Sequence, residues 1–209
     1  MTEVEEGKRE RIARRQIDKF AGRRDQLAAA ALQTLAELGY ANTSLRDIAQ
    51  NSDFSHGVLH YYFADKFELI TYCVRQYKAE CVTRYDAIVT TAGAADELCA
   101  EFGAIMAGTM RDDVTMHRLW YDLRNQSQFE LRFRADVADI DQSLERMIWR
   151  IVTRYAELSG RDLAVTPAFA YALFDGVFQH GLLRHLGGDT TAARDLDEQV
   201  QQVLPTLLA

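Results

Sequence analysis

Proline is scarce in this chain, with only Pro167 and Pro205 among 209 residues, and cysteine is limited to three. Three cysteines (Cys73, Cys81, Cys99) cannot all pair, and their spacing fits no CxxC-type zinc pattern. A disulfide-stapled miniprotein is therefore excluded, and the thiols read as reduced. No apolar run approaches the roughly 18 residues that a membrane span needs. The opening MTEVEEGKRER is charged where a signal peptide is apolar, which predicts a cytoplasmic protein without a membrane partner. Missing too are a GxGxxG turn, a P-loop and any stretch of period-two alternation rich in β-branched residues. What is present is 48% hydrophobic and 26% charged, the mixture of a globular protein that can bury a sizeable core. Scarce proline with plentiful Ala, Leu, Arg and Glu predicts long helices and an all-α fold.

The net charge of −7 argues against a nucleic-acid partner, but its distribution does not. Residues 8–24 hold eight Lys or Arg and two acids, net +6, whereas residues 71–209 are net −6. A basic arm ahead of an acidic body fits contact with a polyanion at one end. A merely solvated charged tail fits the same pattern.

Helical spacing organises the rest. Leu27, Ala31, Leu35 and Leu38 recur along a first helix from Arg24 that Gly39 stops. Thr43 or Ser44 can cap a short second helix carrying Leu45, Ile48 and Ala49. After a turn at Asn51–Asp53, Ser55 can cap a third helix ending near Phe63, and Asp65 a long fourth one reaching towards Val89. Further helices are expected at 95–110, 114–127, 129–159, 167–186 and 191–208, with Thr166-Pro167 the sharpest start.

Two short helices joined by about four residues form the layout of a helix-turn-helix. At about 100° per residue, His56, Gly57, His60 and Tyr61 share one arc of the third helix, and Val58, Leu59, Tyr62 and Phe63 the other. The first arc offers donors, acceptors and a gap, which suit base edges in a major groove. The second packs inward. His56 and His60 also have the i, i+4 spacing of metal ligands, but no glutamate follows His56 as in HExxH, and no metal or cofactor is expected.

The segment Arg24–Leu69 resembles the DNA-binding domain of the TetR family of ligand-responsive transcriptional regulators. The matching residues are Leu27, Ala30-Ala31, Leu35 and Gly39-Tyr40, then Thr43-Ser44 and Asp47-Ile48-Ala49. They continue through Ser55, Gly57, Leu59, Tyr61-Tyr62-Phe63, Lys66 and Leu69. His60 departs from the tyrosine usual at its position. The resemblance implies that Thr43, His60, Tyr62 and Lys66 grip phosphates, while Ser55, His56, Gly57 and Tyr61 approach bases or backbone at the groove.

It implies a layout as well: residues 1–22 a basic arm, 23–66 the three-helix DNA-binding domain, and 67–209 a helical effector-binding and dimerisation domain. In that last region Met106, Trp120, Tyr121, Phe133 and Trp149 are expected at a ligand pocket, although core packing explains such residues too. Either a quaternary ammonium or a flat or acyl apolar ligand would suit them. Phe169, Leu173, Gly176, Val177, His180 and Gly181, with Val203 and Leu207 from the last helix, are expected to pair with a second copy. The function so implied is not enzymatic. It is that of a repressor which binds double-stranded operator DNA as a homodimer and is released by a small-molecule effector. A helical ligand-binding or adaptor protein without DNA binding is the alternative.

Overall fold

Leu27, Ala31 and Leu35 line one side of the first helix, and all three are buried. The computed structural model describes the backbone of residues 3–209 and the side chains of residues 18–35, 38–39 and 43–209. Among the described residues there is no strand, only an isolated bridge between Leu163 and Leu208, so the fold is all-α as the periodicity predicts. The chain divides into two compact units, Met1–Cys73 and Val74–Ala209.

In the N-terminal unit α1 runs Glu3–Asn42, with a kink at Gly39 (φ 74°, ψ 169°), a conformation that strongly favours glycine. The helix thus starts well before the expected Arg24. No proline interrupts residues 3–23, and their Glu, Lys, Arg, Ala and Gln propagate a helix well. The basic side chains from Lys8 to Arg15 lie outside the described residues. Helix α2 (Leu45–Gln50) opens with a capping box: Asp47 N–H donates to Ser44 Oγ at 3.2 Å, and Ser44 N–H to Asp47 Oδ2 at 2.8 Å. The Ser44 hydroxyl, which donates to Asp47 Oδ2 at 2.5 Å, and then the Ser44 N–H hold the Asp47 carboxyl below its usual range. Helix α3 (His56–Tyr62) begins where Val58 N–H donates to Ser55 Oγ at 3.3 Å. Leu59, Phe63, Ile48, Leu69 and Ile70 complete this core. Each such burial stabilises by about 1.5–3 kcal/mol, which is what holds helices too short to persist alone.

Helix α4 (Lys66–Thr91) starts at Asp65, whose carboxylate accepts from Glu68 N–H at 2.9 Å, and the boundary between the two units falls within it. The C-terminal unit continues with α5 (Ala95–Asp112), α6 (Val114–Gln126), α7 (Arg134–Ser159), α8 (Pro167–Leu186) and α9 (Ala192–Val203). Thr166 caps α8, accepting from Phe169 N–H at 3.3 Å with Pro167 in the first turn, as its sequence predicts. Helix α8 packs on α7 and α9, and α9 lies along α5.

Two expected helices are shorter than their apolar spacing suggests. Helix α7 starts at Arg134 rather than 129, after a single 3-10 turn over Leu131–Phe133. There Arg134 donates to the Ser127 and Gln128 carbonyls and so caps the end of α6. Helix α9 ends at Val203 and gives way to a 3-10 turn over Leu204–Leu207, because Pro205 cannot extend the ladder.

Candidate nucleic-acid interface and ligand cavity

Helix α3 buries Leu59 and half-buries Val58 and Tyr62, which leaves one continuous outward arc. His56, Gly57, His60 and Tyr61 occupy it, all exposed, with Tyr61 at 74%. The His56 and His60 rings meet edge-on, centroids 4.4 Å apart. Phe20 of α1 packs on Tyr62 at 4.6 Å and approaches Tyr61 at 6.2 Å, so the helix is propped by a residue that the α3 pattern does not reveal. Gly57 needs no special conformation, and a β-carbon there would meet nothing within 4 Å. Its missing side chain therefore answers no packing demand inside the fold.

Ser55 is exposed beside this arc and Lys66 opens α4, half-buried. Thr43 stands apart from the set. It is 2% exposed, and its hydroxyl donates to the Gly39 carbonyl at 2.6 Å, closing the kink that ends α1.

In the C-terminal unit, five helices line a cavity whose empty space, about 520 Å³, includes a part open to solvent. Helix α4 contributes Lys78, Cys81 and Tyr85; α5 Met106 and Thr109; and α6 His117, Trp120 and Tyr121. Helix α7 adds Leu144, Met147 and Ile148, and α8 adds Tyr171, Phe174, Asp175 and Phe178. Of the five residues expected at a pocket, Met106, Trp120 and Tyr121 line it. Phe133 does not; it is buried in the 3-10 turn beneath Arg132. Trp149, half-buried on α7, is absent from the lining too, because Leu144, Met147 and Ile148 form the inward face of that helix.

Two polar systems bound the cavity. In one, Arg124 donates from Nη1 to Asp175 Oδ2 at 2.5 Å and lies 3.4 Å from Asp141. The Tyr121 hydroxyl donates to Asp175 Oδ1 at 3.0 Å and the Tyr171 hydroxyl to Asp141 at 2.5 Å. Burial, then the neighbouring Asp175 charge, raises both phenols above their ordinary range.

The other system runs Lys78, His117, Tyr77, Asp113. The Tyr77 hydroxyl lies 2.9 Å from Asp113 Oδ2 and 3.0 Å from His117 Nε2. A carboxylate only accepts, so the Tyr77 proton goes to Asp113 and His117 donates from Nε2 to the Tyr77 oxygen. That leaves the Nδ1 lone pair facing Lys78 Nζ at 3.4 Å. Burial, helped by the Lys78 charge, pushes His117 down to about 2. Burial also pushes Lys78 down to about 8 and the Cys81 thiol up. Of these polar groups only the Tyr121 position was legible beforehand. Lys78 did leave a trace in the sequence: it is a lone charge on the stripe Val74, Tyr77, Cys81, Tyr85.

Helix α8 is apolar on both sides. Phe174, Phe178 and Leu182 face inward, while Phe169 and Leu183 remain 56% and 62% exposed, with Gly176 and His180 exposed between them. Leu173, Val177 and Val203 are half-buried. Gly181 and Leu207 are taken up inside the protomer: a β-carbon on Gly181 would lie 3.2 Å from Met110 Sδ, and Leu207 is fully buried.

Comparison with known proteins agrees with this arrangement. Residues 27–73 match the family described as bacterial regulatory proteins, tetR family. The HTH-type transcriptional regulator BetI of Stenotrophomonas maltophilia (strain R551-3) is 29% identical over 183 residues, covering 82% of this chain and 86% of that protein. The transcriptional regulator FadR of Bacillus subtilis, solved with stearoyl-CoA, superposes with a TM-score of 0.67 at 17% identity, covering 86% of this chain and 96% of FadR. A protein from Saccharomonospora viridis solved with choline gives a TM-score of 0.72 at 16% identity, over 90% and 98% of the two chains. At these identities the two structures show a shared fold.

Proposed function

Since this chain belongs to the TetR family of bacterial regulatory proteins, we propose that it is a repressor which binds operator DNA as a homodimer and leaves it when a small molecule occupies the C-terminal cavity. The observation that carries the DNA-binding part is the outward arc of α3. It presents His56, His60 and Tyr61 around a glycine whose absent side chain serves nothing within the fold. Such an arc can enter a major groove, with Gly57 admitting close approach. His60, Tyr62 and Lys66 would then set register on the phosphates, with Ser55 beside the groove. Thr43 would hold the end of α1 in place rather than reach DNA, given its buried hydroxyl.

The cavity supports the effector part. Its mixture of apolar walls with a few polar groups is that of a small-molecule site. The stearoyl-CoA and choline complexes support the view that this fold accommodates small ligands. Lys78, Cys81 and Tyr85 carry the cavity onto α4, the helix that begins in the N-terminal unit. A ligand therefore touches an element common to both units. It lowers operator affinity by the factor with which it prefers the non-binding state, about 5- to 150-fold for typical couplings.

The exposed apolar side of α8, with Phe169, Gly176 and Leu183, is suited to the same helix of a second copy. A dimer would present two α3 helices to half-sites about one turn of DNA apart. Three free thiols and helices none of which is long and apolar enough to cross a membrane, among the described residues, fit a cytoplasmic regulator. Selection from a random duplex library at low salt tests the reading. A pseudo-palindromic consensus supports it, and recovery of no enriched sequence refutes it.

A further inference from the structure

Taking the cavity as an effector site, as proposed above, we infer that its ligand is an organic anion: one carboxylate head paired with the Lys78 ammonium, and an apolar body against Trp120, Phe174 and Met147. Lys78 carries the inference. It is 7% exposed and lines the cavity. Among the described residues the hydrogen-bond partner of its ammonium is His117 Nδ1, at 3.4 Å, and no carboxylate stands within ion-pair distance. A buried charge calls for a partner, and this one has two N–H groups beyond the one turned to a neutral imidazole.

The opposite ligand charge meets the opposite situation. Asp175 is the carboxylate in the lining, and it is already occupied by Arg124 at 2.5 Å and the Tyr121 hydroxyl at 3.0 Å. A quaternary ammonium would find aromatic rings in this cavity, but also an unpaired ammonium and no spare carboxylate. An anion completes the site; a cation adds a second uncompensated positive charge to it.

The pH dependence follows from the groups around Nζ. Cys81 shares its helix, His117 and Arg124 face it from α6, Asp141 from α7 and Asp175 from α8. His117 and Cys81 stay neutral at pH 7, being pushed down and up by burial, while Arg124 holds both carboxylates. The titration that matters is that of Lys78, lowered to about 8. Carboxylate affinity should be level below that pH and fall about tenfold per unit above it.

The test is calorimetric titration of the full chain at pH 7 with octanoate, phenylacetate, their uncharged amides, and choline. The expected result is that at least one acid binds, tenfold or more tighter than its amide, that choline does not compete, and that the preference fades between pH 8 and 9.5. Lys78→Met should abolish the acid-over-amide preference. Should that variant lose its helical circular dichroism, the amide comparison and pH profile of the unaltered protein still decide. Amides matching acids, choline binding more tightly, or no acid binding at millimolar concentration overturns the inference. Operator affinity is measured separately: acids that bind without changing it support the anion site and count against effector control.

Discussion

The Arg24 guanidinium donates from Nη2 to Glu68 Oε1 at 2.9 Å, tying α1 to the first turn of α4. The same guanidinium lies 4.5 Å above the rings of both Phe63 and Tyr72, and its side chain is mostly buried. Arg24 therefore acts as a clamp of the N-terminal unit, not as the last charge of a solvated arm. Arg24→Ala should destabilise that unit by about 1–2 kcal/mol, the ion pair being discounted for the partly exposed Glu68. Arg24→Lys should recover less than half of this, because an ammonium lacks the planar fork and stacking surface. Urea unfolding checks it, and midpoints equal to that of the unaltered protein would remove the clamp from the account.

Gly57 separates folding from recognition. Alanine there meets no atom within 4 Å and gains helix propensity, so Gly57→Ala should leave thermal stability unchanged or raise it by up to about 1 kcal/mol. Operator affinity should nonetheless fall tenfold or more, since the added methyl stands where DNA is to approach. An affinity within twofold of the unaltered protein places Gly57 outside the interface.

The two tryptophans should report differently on the cavity. Trp120 is fully buried in its lining and Trp149 is not part of it. A ligand found by thermal shift should change the fluorescence of Trp149→Phe and leave that of Trp120→Phe almost unaltered. The reverse pattern would mean that ligands bind elsewhere.

His117 should make the protein acid-labile. Its folded pKa, about 2, lies below the ordinary value near 6.5, so below pH 6.5 the unfolded chain takes up a proton that the folded one refuses. Its contribution to stability is complete above pH 6.5 and declines by up to about 1.4 kcal/mol per unit as pH falls towards 2. Urea unfolding at pH 4.5, 5.5 and 6.5 should give His117→Leu a shallower dependence than the unaltered chain, since the carboxylates that titrate in this window are common to both. Parallel curves would show that His117 does not resist protonation.

What could be read in advance was local. One turn of periodicity suffices to sort α3 into Leu59 and Phe63 inside and His56, Gly57, His60 and Tyr61 outside, and the caps at Ser44, Ser55 and Thr166 involve neighbours three residues away. The cavity is assembled from five helices, so membership depends on tertiary packing. Large apolar character singled out Trp120 and Tyr121, but equally Phe133 and Trp149, which face elsewhere. Asp175 and Arg124 meet across 51 residues of sequence and left no local sign. Arg24 was hidden by its company, because in a run of eight basic residues nothing marks the one that stacks on buried rings.

The most direct measurement of the central claim is an anisotropy titration of the full chain with a duplex taken from selection and with a scrambled duplex, at several salt concentrations. Specific recognition by the α3 arc predicts at least a 10³-fold preference for the selected duplex near physiological salt. It also predicts an affinity that falls linearly in log–log terms as salt rises, from release of phosphate counterions. Equal affinity for the two duplexes, or binding indifferent to salt, would contradict it.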